Sequence, residues 1–235
     1  MTAVDSEGMF VQALALGLDP AWRRLTEPER DEGAAELCRA VERARAVTTH
    51  SYSMIGLKPG CDLLLWRLAG GLDELEEAGA AVLRSAMGAY LHVSQSLLGI
   101  IQPSQYVKKP TAQEQSLFTG ERSRYLVVYP FTKTAEWYLL GQAARQGIMN
   151  EHMRIGHEYQ QVRQLLAYSF GVDDQDFLVA YETDDLVAFG SLVRDLRGTE
   201  SRRSTVRDTP ILTCVHRPLT EIMGMLGAAA ASVPA

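Results

Sequence analysis

A tyrosine and a lysine stand four residues apart in the stretch YLVVYPFTK, as Tyr129 and Lys133. Because alternate residues of a β-strand point to the same side, both would lie on one face of a strand here. A phenol beside a cation could serve in redox or hydrogen-bonding chemistry while the cation holds a carboxylate. From spacing alone, the more common explanation of the pattern is a structural strand with a half-buried tyrosine and a lysine whose stem covers apolar surface.

A histidine lies on the mostly apolar side of the next segment, NEHMRIGHEY. At helical spacing His152 aligns with Ile155 and Gly156, and the glycine leaves room for a flat, bulky group. Such a histidine is more often a core residue than a metal ligand, and the chain has no HExxH, GxSxG or P-loop motif. If it does bind a metal, haem iron suits it better than zinc, because a porphyrin supplies four ligands itself.

The elements that would position these residues follow from hydrophobic periodicity. Residues 1–45 are predicted to form an N-terminal helical extension, because EPERDEGAAELCRAVERAR has helical spacing. Two strands and a helix are expected after Val47. The second half is predicted to begin at Arg124 with a strand and to continue through a helix of about 25 residues that ends near Phe170.

Two stretches of the chain resemble each other, GLKPGCDLLLWRLAGGLDELEEAGAAVLRS and GVDDQDFLVAYETDDLVAFGSLVRDLRGT. Each runs from a glycine through a strand to acidic residues that open an amphipathic helix, which indicates a duplicated α+β unit. The corresponding domains would be a first half at 46–110, a linker at 111–123, a second half at 124–225 and a tail at 226–235.

Composition narrows the class of protein. The 235 residues are 46% hydrophobic and carry a net charge of −6 without a long basic cluster, so nucleic acid is not an expected partner. The three cysteines, Cys38, Cys61 and Cys214, follow no metal-ligand spacing and are expected to be buried thiols in a reducing compartment. Neither a signal peptide nor a long apolar segment is apparent, so we expect a cytoplasmic protein without a membrane span.

Several spaced motifs together resemble the chlorite dismutase-like superfamily, and most closely its coproheme decarboxylase branch. They are YPFTKTAEWYLL, NEHMRIGHEY, RQLLAYSFGVDDQDFLVAYETDDL and TESRRSTVRDTPILTCVHR. The resemblance implies an α+β fold, a dimeric α+β barrel made of two ferredoxin-like halves, of which the C-terminal one carries the porphyrin. It also implies a homo-oligomer, commonly a homopentamer.

The activity implied by the resemblance is oxidative decarboxylation. Hydrogen peroxide would remove two propionate groups of iron coproporphyrin III (coproheme) as carbon dioxide, which leaves vinyl groups and gives haem b. The porphyrin would be both substrate and cofactor. A transient contact with a coproporphyrin ferrochelatase is a further implication.

The resemblance also assigns roles to individual residues. Tyr129 is similar to the tyrosine that becomes a radical and takes hydrogen from the reacting propionate, and Lys133 to the lysine that holds a propionate and assists proton transfer. Trp137 resembles a tryptophan near the site, with a packing role as the alternative. His152 would be the proximal iron ligand.

Four further residues are assigned by the same resemblance. Glu200 would orient the proximal histidine, with an exposed loop carboxylate as the alternative. Arg203 and Thr209 would contact propionates. On the distal side Gln164 takes the position, seven residues before Gly171, where chlorite dismutases have an arginine.

A shift of one residue would put Arg163 in the distal position instead of Gln164. That register favours the alternative functions of chlorite dismutase or haem peroxidase. A haem-binding protein without turnover is a third interpretation, because fold alone does not establish activity.

Overall fold

The computed structural model describes residues 8–106 and 121–229, and most of the predicted linker at 111–123 lies outside these ranges. The described chain is a mixed α+β protein with antiparallel strand pairs. It divides into two compact units. The central unit contains residues 99–212 and Gly8, and the terminal unit contains residues 9–98 and the chain from Thr213 onward.

The terminal unit contains a sheet with strand order β4-β1-β3-β2-β9. Its strands are β1 (Phe10–Leu18), β2 (Thr48–Lys58), β3 (Cys61–Ala69), β4 (Leu91–Ile100) and β9 (Leu212–His216). Almost every residue of β3 is buried, as expected for a central strand with a continuous apolar run.

Three helices belong to the terminal unit: α1 (Glu27–Arg43), α2 (Leu72–Arg84) and α6 (Leu219–Met225). A capping box starts α1, because the backbone N–H of Thr26 donates to Glu29 Oε2 over 2.8 Å. The apolar side of α1 packs with Trp22, Leu63 and Leu65 in one hydrophobic cluster.

The central unit contains the strand order β6-β7-β5-β8. Its strands are β5 (Tyr125–Lys133), β6 (Arg163–Tyr168), β7 (Phe177–Thr183) and β8 (Thr205–Arg207). Its helices are α3 (Ala135–Leu139), α4 (Gln142–His157) and α5 (Leu186–Arg197), followed by a 3-10 helix at Glu200–Ser204. Asp185 caps α5 by accepting from the N–H groups of Val187 and Ala188.

The sequence repeat corresponds to equivalent parts of the two units. In the terminal unit, β3 lies between β1 and β2 and leads into α2. In the central unit, β7 lies between β5 and β6 and leads into α5. Each copy is therefore a strand in the interior of a sheet followed within a few residues by an amphipathic helix.

The prediction of a helical extension at 1–45 is wrong for residues 10–18. These residues form β1, which pairs with β3 from Phe10 opposite Ala69 to Leu16 opposite Leu63. Alanine and leucine favour helix locally, but burial on both faces of a sheet overrides that preference. The segment is therefore part of the terminal unit's core, and only Glu27–Arg43 is helical as expected.

The predicted long helix up to Phe170 is also wrong. The helical part of this segment belongs to α4, which ends at His157. Residues 163–168 instead form β6, because six successive residues pair with β7. The half at 124–225 also ends earlier than predicted, since the chain from Thr213 onward clusters with the terminal unit and Leu226 is buried there.

Candidate functional site

The candidate site lies on one face of the sheet in the central unit. Residues directly opposite each other in antiparallel strands share a face. Tyr129 is opposite Val179, Val127 is opposite Tyr181, and Tyr181 is opposite Gln164 on its other side. Tyr129, Tyr181 and Gln164 consequently point to the same side of the sheet, and strand alternation adds Lys133 to this face.

Tyr129 is enclosed by side chains of its own unit. Its ring stacks on Tyr181 with 6.1 Å between centroids and an interplanar angle of 26°. Burial, together with the Tyr181 phenol and the nearby charge of Asp208, raises the pKa of Tyr129 well above its usual range. The phenol therefore keeps its proton at neutral pH, as a hydrogen-atom donor must.

A cavity of about 200 Å³ adjoins Tyr129. It is lined by Tyr129, Phe189, Gly190, Val193, Arg197, Asp208 and Ile211. Arg197 and Arg202 both approach the carboxylate of Asp208, at 3.6 and 2.6 Å. The volume lies below the 300 Å³ or more of most ligand pockets, so it can hold a substituent but not a macrocycle.

Lys133 lies at the end of β5, close to aromatic rings. Its Nζ is 4.4 Å from the ring centroid of Trp137 and 5.1 Å from that of Phe131, both within cation–π range. The same ammonium donates to the backbone carbonyl of Ser201 over 3.3 Å. Burial and the charge of Arg202 lower the pKa of Lys133 to about 8. The amine is mostly charged at pH 7 and can change protonation state close to neutrality.

Trp137 is placed by the short helix α3. The helix starts at Thr134, whose Oγ1 accepts from the Trp137 N–H over 3.4 Å. The indole is 2% exposed and contacts Tyr106 edge to face. Trp137 thus provides the aromatic surface next to the ammonium of Lys133, and its burial anchors α3 to the rest of the unit.

His152 is the expected iron ligand and lies on α4. Its Nδ1 is 3.1 Å from the Ser201 hydroxyl, which also contacts the Thr199 hydroxyl at 2.9 Å. Burial and the charge of Lys133 lower the pKa of His152 to about 4. The imidazole is therefore neutral at physiological pH, and within the described ranges Nε2 makes no hydrogen bond.

Glu200, expected to orient His152, does not occupy that position. Its side chain is 53% exposed and pairs with Arg203 at 3.5 Å. The next residue, Ser201, is 4% exposed and provides the contact to the imidazole. Successive residues of a 3-10 helix point about 120° apart, so the inward position belongs to Ser201 and not to Glu200.

The two expected propionate contacts lie on the surface. The Arg203 side chain is 82% exposed. Thr209 is also exposed, and its carbonyl accepts from Arg207 Nε over 2.9 Å. Neither residue lines the cavity beside Tyr129, whereas Arg197 and Asp208 do.

The strand register distinguishes the two residues that competed for the distal position. Gln164 shares the face of Tyr129, and Arg163 points to the opposite face. Arg163 Nη2 is 2.9 Å from Glu182 Oε2, and the second oxygen of this fully buried carboxylate pairs with Arg122. The arginine is thus held in an ion-pair cluster on the other side of the sheet.

Besides Arg197 and Asp208 in the cavity, three further residues near the site were not identified from the sequence. Ser201 links Lys133 and His152, and Tyr181 stacks on Tyr129. Asp176 accepts hydrogen bonds from the Lys133 N–H and the Tyr138 hydroxyl, at 2.7 and 2.6 Å. Strand alternation in DFLVAYETD could have indicated Tyr181, but no local signal points to Ser201.

The described ranges contain neither a metal-binding cluster of protein side chains nor a membrane-spanning helix. Residues 8–106 and 121–229 contain no group of three or more His, Cys, Asp or Glu side chains that could hold a metal ion. In the same part of the chain, no helix has the length and apolar character needed to cross a bilayer.

Comparisons with known proteins agree with this architecture. The sequence model of the chlorite dismutase family matches residues 30–217. A coproheme decarboxylase from Mycolicibacterium smegmatis is 29% identical over 182 residues, covering 77% of this chain and 78% of that protein.

Two solved structures of chlorite dismutase from Candidatus Nitrospira defluvii are similar in fold. An arginine-to-lysine variant has a TM-score of 0.87 and 29% identity, covering 95% of this chain and 97% of that one. The complex with imidazole has a TM-score of 0.86 and 28% identity, covering 95% and 96%. With a family match over most of its length, this chain belongs to the chlorite dismutase family.

Proposed function

We propose that this protein is a coproheme decarboxylase, which uses hydrogen peroxide to convert iron coproporphyrin III to haem b. One observation carries the proposal. Lys133 and His152 meet at Ser201, and Tyr129 lies on the same strand face as Lys133. A phenol, an ammonium and a neutral imidazole are thus grouped within one unit. The decarboxylase from M. smegmatis supports the same reaction.

The space beside His152 fits a flat group. Although α4 has 16 residues, none of them is fully buried. Within residues 8–106 and 121–229, a methyl group added at Gly156, one turn after His152, would meet no atom within 4 Å apart from its chain neighbours and its own helix backbone. Leu166 is 42% exposed although it lies on the same sheet face as Tyr129. An apolar macrocycle between α4 and this face would cover such surface.

Each residue of the site then has a chemical task. The chemistry that a bound iron porphyrin would supply is the reaction with hydrogen peroxide, which provides the oxidising power. His152 would hold the iron through Nε2, with Ser201 fixing the imidazole through Nδ1. The cavity beside Tyr129 has room for one propionate, and Arg197 there can pair with its carboxylate. Tyr129 would lose its hydroxyl hydrogen and then take hydrogen from this group, while Lys133 binds a carboxylate and exchanges protons.

Gln164 supports decarboxylation over chlorite dismutation. The resemblance associates dismutation with an arginine in the distal position, but Arg163 is held by Glu182 on the opposite sheet face. The residue on the porphyrin side is instead Gln164, a neutral amide opposite Tyr181. Oxygen release from chlorite by the haem-loaded protein would contradict this assignment.

The assembly and location are parts of the same proposal. We propose a homo-oligomer, with a pentamer as the expected form, built on a dimeric α+β barrel of ferredoxin-like halves. The element order β-α-β-β-α-β from β1 to β4 supports such a half. Three buried free thiols support a reducing compartment such as the cytoplasm. A transient contact with a coproporphyrin ferrochelatase is a further part of the proposal.

The test is an anaerobic titration with iron coproporphyrin III, followed by hydrogen peroxide and mass analysis of the porphyrin. We expect stepwise loss of two carboxyl groups. Tyr129→Phe should bind the porphyrin with similar affinity but abolish the mass change, because only the hydroxyl is lost. Tyr125→Phe, on the same face of β5, is the matched control and should convert normally. Full conversion by Tyr129→Phe would exclude the tyrosine role.

A further inference from the structure

The central unit contains a second buried tyrosine in contact with Tyr129. Tyr181 lies on β7, 6% exposed, and its ring stacks on that of Tyr129 at 6.1 Å. Its directly opposite residues are Val127 on β5 and Gln164 on β6, and Tyr129 lies diagonally across from it on the same face. Tyr181 therefore lies between the two residues assigned to the reacting side of the site.

The surroundings of the two phenols differ. Tyr129 adjoins the cavity with Arg197 and Asp208. Tyr181 packs instead against Phe189, with 5.2 Å between ring centroids, in a hydrophobic cluster with Val179 and Leu192. The two phenol side chains interact with each other, and burial raises the pKa of Tyr181 above its ordinary value. Tyr181 is thus a neutral phenol in contact with the ring of Tyr129.

We propose that Tyr181 is the redox partner of Tyr129 and shares its radical by hydrogen-atom exchange. This inference rests on the proposed function, in which peroxide and the bound iron porphyrin oxidise Tyr129. In the exchange, the O–H bond of Tyr181 breaks and an O–H bond forms on the Tyr129 oxygen. One proton and one electron move together, so Tyr129 becomes a phenol and Tyr181 a neutral phenoxyl radical.

Two physical reasons favour this exchange. The bond that breaks and the bond that forms are both phenolic O–H bonds, so the step is close to thermoneutral. Transfer of the electron alone would leave a charged tyrosine among apolar side chains, at a large desolvation cost, whereas hydrogen-atom transfer creates no charge. The pair would hold the oxidising equivalent in the protein interior until a propionate occupies the cavity beside Tyr129.

The experiment is freeze-quench, high-field electron paramagnetic resonance of the protein loaded with iron coproporphyrin III and mixed with hydrogen peroxide. The wild type should show two tyrosyl components. Tyr181→Phe should lose one of them, and Tyr129→Phe should lose both because Tyr181 is oxidised only through Tyr129. Tyr168→Phe, on the same sheet face in β6, is the matched control and should retain both.

A second measurement needs no porphyrin. In protein labelled with ¹³C at tyrosine Cζ, Tyr181→Phe should shift the Tyr129 resonance because the phenol hydroxyl next to it is removed, and Tyr168→Phe should not. Phenylalanine keeps the ring, so the melting temperature reports whether packing is retained.

The outcomes separate this inference from the proposed function. An unchanged radical spectrum in Tyr181→Phe, with normal decarboxylation, would overturn the radical sharing and leave the decarboxylase intact. Absence of both a tyrosyl radical and decarboxylation in the wild type would overturn both. Loss of a single component in Tyr181→Phe alone would support the tyrosine pair.

Discussion

At the scale of single residues, the shared strand face of Tyr129 and Lys133 could be predicted because strand alternation needs only sequence spacing. The partner of His152 could not. Ser201 and Glu200 are neighbours in the chain, and the choice between them depends on the rotation of one 3-10 turn. That rotation is accompanied by tertiary contacts of Ser201 with Lys133 and His152, which no local sequence pattern encodes.

His152 gives a prediction for stability against pH. Its pKa is about 4 in the folded protein and near 6.5 in an unfolded chain. Between these values the unfolded state binds a proton that the folded state does not, so stability falls as the pH drops through this window. The histidine should account for a loss of about 3 kcal/mol in unfolding free energy between pH 7 and pH 4.

Urea unfolding of the porphyrin-free protein at a series of pH values measures this contribution. His152→Gln should show a correspondingly weaker pH dependence than the wild type. His157→Gln changes an exposed histidine of the same helix and should behave like the wild type. Parallel curves for wild type and His152→Gln would show that the imidazole is not held in its neutral form.

At the scale of elements, the sequence identifies the strand–helix repeat but not the boundary after α4. Residues 163–168, RQLLAY, contain good helix formers, and only the pairing with β7 makes them a strand. This change determines the site, since a strand sends Arg163 and Gln164 to opposite faces. A helix would have turned them by only about 100°.

The two faces of β6 predict different effects for adjacent substitutions. Arg163→Gln should lower the unfolding free energy by about 2 kcal/mol, because the fully buried carboxylate of Glu182 would lose its ion pair with Arg163. Gln164→Ala should change stability less but alter the absorption spectrum of bound iron porphyrin. Urea unfolding and a porphyrin titration of both variants check this. A spectral change in Arg163→Gln alone would contradict this assignment, because it would show that Arg163 and not Gln164 faces the porphyrin.

At the scale of the whole molecule, the sequence indicates two similar units but misplaces their limits. Residues 10–18 were expected in an extension, yet β1 lies between β3 and β4 in the terminal unit. The unit also includes the chain after Thr213, where β9 pairs with β2 through Tyr52 opposite His216. Pairing between strands that are distant in the chain leaves no periodic signal in the sequence. The sequence therefore does not show that residues 10–18 and the chain after Thr213 belong to the same unit.

Removing residues 1–19 should therefore unfold the terminal unit. Val11, Ala13, Ala15 and Leu16 are all fully buried. Loss of their burial and of the backbone pairing with β3 is comparable to the roughly 5–15 kcal/mol that stabilises a typical domain. Circular dichroism and thermal melting of the truncated and full-length proteins measure the effect. A truncated protein that melts like the full-length one would restore the interpretation of a separable extension.

The division of the terminal unit between both chain ends constrains how a ribosome can deliver this protein. Residues 99–212 leave the exit tunnel as one uninterrupted stretch, so the central unit can complete its pairing while synthesis continues. Folding of the terminal unit cannot be completed until the C-terminal residues have been synthesised. They provide β9, which pairs with β2, and the Leu226 carbonyl, which accepts a hydrogen bond from Trp22 Nε1. Until then β2 is an open edge, and nascent chains stalled before Thr213 are the species for which chaperones are needed.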